Sequence, residues 1–146
     1  MSVDAKAEIV IDRPRTDVAN VMFDPKCDRL WISGLTNVFP QTQGLMKKGS
    51  KIERVGSFLG RSFSTVYLVT NDEPETFVEI AADEPFQMII RYDLSDTDGG
   101  TLAKIRVQSV GENLYQIPPP ALNRAVSEWI SSDLKKLKKR VEDHSD

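Results

Sequence analysis

One histidine, His144, and one cysteine, Cys27, are all that the 146 residues offer of either type. A lone thiol excludes an internal disulfide and any CxxC or four-cysteine zinc site. A lone histidine at the C-terminal end excludes a multi-histidine metal centre, and with it a Ser-His-Asp triad built on a well-ordered imidazole. We expect no metal and no cofactor. An excess of positive charge is also missing: 19 Lys and Arg stand against 22 Asp and Glu, a net charge of −3. No basic field for nucleic acid results, so no nucleic-acid partner is expected. No apolar run approaches the roughly 18 residues of a membrane span, and no integral membrane association is expected. Met1-Ser2-Val3-Asp4-Ala5-Lys6 lacks the apolar stretch of a secretory signal, and the cytoplasm is the expected compartment. Gly56 and Gly60 lie in a turn without the Gly-Lys-Ser/Thr of a phosphate loop.

What is present is a chain 40% apolar and 28% charged, the length of one ordinary domain covering 1–146. Ala7, Ile9 and Ile11 alternate with Lys6, Glu8 and Asp12, which predicts a half-buried strand over Ala5–Ile11. Pro14 opens a short helix with Val18, Val21 and Met22 on one face, and Asp24-Pro25 stops it. A second short helix is expected over Lys26–Trp31, with Leu30, Trp31 and Ile32 as its buried end. Strands follow at close spacing: Leu35–Pro40, Ser50–Ser57, Arg61–Thr70, Phe77–Ala82, Phe86–Leu94 and Thr101–Ser109. Phe58-Leu59-Gly60, Asn71-Asp72-Glu73-Pro74 and Asp96–Gly100 read as the turns between them. Pro118-Pro119-Pro120 starts a long helix, with Leu122, Val126, Trp129, Ile130, Leu134, Leu137 and Val141 in one stripe. Its basic run, Lys135 to Arg140, suits a solvated helix C-terminus.

This order predicts an α+β fold. A curved seven-stranded antiparallel sheet wraps around the C-terminal helix, with two short helices between the first two strands. A curved sheet gripping one helix leaves a concave apolar space between them, where small ligands bind. The chain resembles the START-like or SRPBCC superfamily, the helix-grip fold shared by Bet v 1 allergens, lipid-transfer START domains and bacterial polyketide cyclase/dehydrase-like proteins. The carriers of the resemblance are Ile9-Val10-Ile11-Asp12-Arg13-Pro14 running into Val18 and Val21, then Asp24-Pro25 and Trp31. Gly49, the Val69–Pro74 turn, Gly100-Thr101 and the amphipathic last helix complete them. The fold hosts carriers, cyclases, receptors and co-chaperones, so it does not by itself assign an activity.

Tyr67, Ile90, Tyr92, Ile105, Val107, Val126, Trp129 and Ile130 fall on the inward faces and are the expected cavity lining. Asp133 lies inside the apolar stripe at helical spacing. A carboxylate there could serve as general acid or base, or could instead be structural, paired with Arg140 or a strand arginine. Arg54 shares parity with Ile52 and is the interior candidate to hold a ligand oxygen or Asp133, while Arg91 and Arg61 read as exterior. Tyr115 is a weaker phenol candidate than Tyr92, and Met22 and Met88 read as the buried methionines. Cys27 has no neighbouring imidazole to activate it and reads as inert. Three functions stay open. The first is a carrier of a small hydrophobic ligand (lipid, polyketide or aromatic). The second is a cyclase or dehydratase working through Asp133. The third is an interaction module presenting an apolar Phe58-Leu59 tip.

Overall fold

A computed structural model describes residues 3–83, 87–109 and 117–144, without the His144 side chain. The expected strand start at Phe86, together with Tyr115 and the His144 side chain, lies outside the described residues. Seven strands form one antiparallel sheet: β1 (Val3–Ile11), β2 (Leu35–Pro40), β3 (Lys51–Phe58), β4 (Arg61–Glu73), β5 (Phe77–Ala82), β6 (Met88–Thr97) and β7 (Gly100–Ser109). Their order across the sheet is β1-β7-β6-β5-β4-β3-β2, so β1 and β2 are the edges. Between them in the chain lie α1 (Arg15–Met22), a 3₁₀ turn (Pro25–Cys27) and α2 (Asp28–Trp31). The long helix α3 (Pro119–His144) packs along β1 and against α1 and α2.

Period-2 patterning drives the sheet. In β6, Ile90, Tyr92 and Leu94 are buried while Ile89 between the rows is exposed. In β7, Ala103, Ile105 and Val107 face the same interior. The hairpin between β3 and β4 turns on Leu59 and Gly60, both with positive φ (53° and 77°), as a two-residue type I′ connection requires. Bulges at β2 and at Thr70 in β4 add the twist and curvature that make the sheet concave.

Five expectations need correction. β6 does not end at Leu94: Ser95, Asp96 and Thr97 go on pairing with Leu102, Thr101 and Gly100, so the turn is shorter than Asp96–Gly100. β4 does not end at Thr70. The bulge breaks its alternation, and Asn71, Asp72 and Glu73 go on pairing with Glu79, Val78 and Phe77 before Pro74 stops the strand. Leu30 is exposed rather than buried, because α2 is a single turn whose inward positions are Asp28 and Trp31. Met46 is a buried methionine, while Met88 is only half-buried; Met46 sits in the β2–β3 connection, where no period marks it. Phe58 does not protrude with Leu59: its ring stacks on Trp129 with centroids 4.0 Å apart.

The apolar stripe of α3 divides in two. Leu134, Leu137 and Val141 are fully packed, whereas Val126 and Trp129 nearer the helix start are half-buried.

Candidate functional site

A cavity of about 140 Å³ lies between the N-terminal half of α3 and the concave face of the sheet. Every residue expected at the lining is part of its wall. Tyr67 comes from β4, Ile90 and Tyr92 from β6, Ile105 and Val107 from β7, and Val126, Trp129 and Ile130 from α3. Arg54 and Asp133 reach the same wall from β3 and α3. Trp31, Phe63, Thr65 and Ser109 also contribute, although the sequence reading placed none of them there. Phe63 and Thr65 share the parity of Tyr67 along β4, so the strand's own alternation was the available signal.

The polar side chains gather on one buried arginine. Arg54 Nε donates to Asp28 Oδ2 at 2.9 Å, and Arg54 Nη1 donates to the Tyr92 hydroxyl at 3.2 Å. The guanidinium also lies over the Tyr67 ring, 5.2 Å from its centroid. Arg54 and Asp28 are 4% and 0% exposed, so the ion pair is withdrawn from water. Burial pulls the guanidinium's pKa down, but the Asp28 carboxylate and the two phenols more than offset that and raise it. Burial likewise pushes Asp28 up, against the pull of Arg54, and pushes the Tyr92 phenol up. Asp28 was missed in the sequence because α2 is too short to show a helical period; its only signal was the i, i+3 spacing to Trp31.

Asp133 is not the partner of Arg54. Its Oδ1 accepts the Ser33 backbone N–H at 2.9 Å, tying α3 to the α2–β2 connection. Lys136 reaches Ser33 Oγ at 2.7 Å, so one serine is held from two positions on α3. Burial raises the Asp133 pKa to about 6, only partly countered by the Ser33 hydrogen bonds and the nearby Lys136 and Arg54 charges. The Asp133–Arg54 acid-base pair contemplated from the sequence is therefore not formed, since Asp28 holds the arginine.

Arg91 and Arg61 lie outside the cavity, as expected; Arg91 pairs with Asp93 and covers the Phe77 ring. Cys27 is half-buried, and burial raises its pKa, followed by the Asp24 and Asp28 charges, which leaves little nucleophilic thiolate. Among the described residues no group of three or more His, Cys, Asp or Glu could hold a metal ion. No described helix is long and apolar enough to cross a membrane.

No family model and no curated protein matches this sequence. Solved structures do match. TTHA0849 from Thermus thermophilus is 14% identical with a TM-score of 0.79, over 98% of this chain and 99% of that one. Ara h 8.0201 is 13% identical with a TM-score of 0.71, over 97% and 98%. CV1439 from Chromobacterium violaceum is 19% identical with a TM-score of 0.70, over 97% and 99%. At these identities the likeness establishes the fold, and the chain has the Bet v 1-like helix-grip fold that its motifs implied.

Proposed function

We propose that this chain, one domain over 1–146, binds or carries a small hydrophobic ligand in the cavity between the sheet and α3. The observation that carries the reading is an apolar hollow of about 140 Å³ inside an otherwise packed interior. A concave apolar space lined by side chains of the sheet and of α3 is the usual setting for a small ligand. The volume compares with cavities that admit one benzene-sized ring, which favours a compact aromatic or alicyclic ligand over an extended lipid chain. The lone thiol at Cys27 is compatible with a cytoplasmic carrier.

Native mass spectrometry of freshly purified protein tests the reading, because a ligand held in the cavity should appear as a bound mass lost on denaturation. No bound mass, together with no binding of apolar probes to the purified protein, would overturn it.

A second reading, a cyclase or dehydratase acting on a polyketide-like substrate, has one observation in its favour. Asp133 lines the cavity with its pKa raised to about 6, close to working pH for a general acid or base. It predicts that Asp133→Asn abolishes turnover of such a substrate while the protein stays folded. The carrier reading leads because the arginine that would assist such an acid is already engaged by Asp28.

A further inference from the structure

The cavity wall carries hydrogen-bond donors that no acceptor among the described residues satisfies. Arg54 Nη2, Trp31 Nε1 and Trp129 Nε1 are all buried, and all three lack a partner among the described residues. All three residues line the cavity, from β3, α2 and α3 respectively. Arg54 is 4% exposed, and Asp28 and Tyr92 engage only its Nε and Nη1, leaving both Nη2 protons free. Guanidinium and indole nitrogens donate and do not accept. The Tyr92 oxygen accepts from Arg54, so its own proton is also free to donate. Two further buried polar atoms lack a partner among the described residues: Ser109 Oγ in the cavity wall, which can donate or accept, and Asp28 Oδ1, an acceptor on a residue that does not line the cavity; Asp133 Oδ1 is used by Ser33. The unsatisfied atoms of the wall are therefore mostly donors, and an aliphatic or aromatic hydrocarbon would leave them unsatisfied. Buried donors without acceptors are rare in folded proteins.

Charge decides what kind of acceptor fits. Arg54 is neutralised within the protein by Asp28 at 2.9 Å. A ligand carboxylate would add an uncompensated negative charge to a mostly apolar cavity that Asp133 also lines. A neutral carbonyl oxygen takes a charge-assisted hydrogen bond from Nη2 and adds no net charge.

We infer that the ligand is a compact ring compound bearing a neutral carbonyl oxygen, an aryl ketone or its like, received by Arg54 Nη2 with the indole N–H groups of Trp31 and Trp129 as further donors. This rests on the cavity-binding reading and adds the polar half of the ligand to it.

The test compares ethylbenzene, acetophenone and benzoate, which share a single ring and differ in the acceptor, by isothermal titration against the whole protein. Acetophenone should bind at least tenfold tighter than ethylbenzene, and tighter than benzoate. The preference over ethylbenzene should fall below threefold in the double variant Asp28→Asn/Arg54→Gln, which removes the charge pair together. Trp31→Phe/Trp129→Phe keeps both rings, removes two donors and should lower the preference at least threefold. It keeps the question decidable if the charge-pair variant does not fold. Equal binding of acetophenone and ethylbenzene overturns the inference and leaves the cavity reading standing. Benzoate binding tightest overturns it in favour of an anionic ligand. A preference that survives both variants also overturns it, since the donors named would then not be its source. Failure of all three compounds to bind counts against the cavity reading itself.

Discussion

Arg54 shows what one buried charge demands of its surroundings. A guanidinium taken out of water needs a counterion and acceptors for its protons, and β3 supplies neither. Asp28, just under one helical turn before Trp31 on α2, supplies the counterion. Removing one partner strands the other. Asp28→Asn should cost about 3–5 kcal/mol in urea denaturation near pH 7, and Asp28→Asn/Arg54→Met should recover most of that. A loss below about 1 kcal/mol for the single variant would mean that the pair is solvated and that Arg54 is not the buried centre described. Asp133 carries a different cost. Its folded pKa of about 6 lies above the unfolded value of 3.8, so the folded state holds the proton more tightly. Its contribution to stability is present below about pH 4 and is lost as pH rises through 6. Above that range the penalty is roughly 3 kcal/mol. Asp133→Asn keeps an oxygen for the Ser33 N–H and carries no charge. It should therefore be more stable than wild type at pH 7 and indistinguishable near pH 4, as read by denaturation across that range. A variant less stable at both values would show that the carboxylate is held by partners beyond Ser33.

At the scale of elements, the close approach of the chain entering β2 to β3 depends on two glycines. A Cβ on Gly56 would sit 2.2 Å from the Gly34 carbonyl oxygen, and one on Gly34 would sit 2.4 Å from the Ser57 oxygen. Both obstacles are backbone, which cannot step aside without moving a strand. Gly56→Ala should therefore cost about 1–3 kcal/mol by displacement of β2. Gly60→Ala, in open space though at φ +77°, should cost only about 1 kcal/mol from its backbone conformation. Comparable melting temperatures for the two variants would contradict the tight approach. The same elements show what could be read in advance. The inward faces of β1, β6, β7 and α3 were legible because each runs long enough for period 2 or period 3.6 to establish itself. That is why Tyr92, Val107, Val126 and Asp133 could be assigned to one hollow from their spacing. Thr70 hid the last three residues of β4, because an extra residue reverses the alternation that marks a strand. Asp28 stayed hidden for a related reason: one helical turn contains no repeat, so its burial and its pairing with Arg54 follow from tertiary packing. The orphan donors were equally illegible, since satisfaction of a side chain depends on which atoms meet and not on which face it occupies.

The whole molecule is packed at one end and hollow at the other. Leu134, Leu137 and Val141 of α3, with Val18 and Met22 of α1, belong to the closed core. Leu122, Val126 and Ile130 look instead into the cavity across from β7. On the proposed reading, stability and ligand capture fall to different halves of one helix, and a change confined to the hollow end should separate them. Val107 is 7% exposed and part of the cavity wall, on the rigid interior strand β7. Val107→Trp directs an indole into space that is already open, so the fold should survive with its melting temperature within a few degrees of wild type, unlike the same change in a filled core. Binding should not survive. At a ligand concentration 100 times its dissociation constant, the wild type gains about 2.7 kcal/mol, a rise of roughly 5–10 °C for a domain of this size. The filled variant should show almost none of that rise with the same compound. An undiminished rise would place the ligand elsewhere on the molecule. A collapse of the unliganded variant would show that the hollow end has no room for an indole.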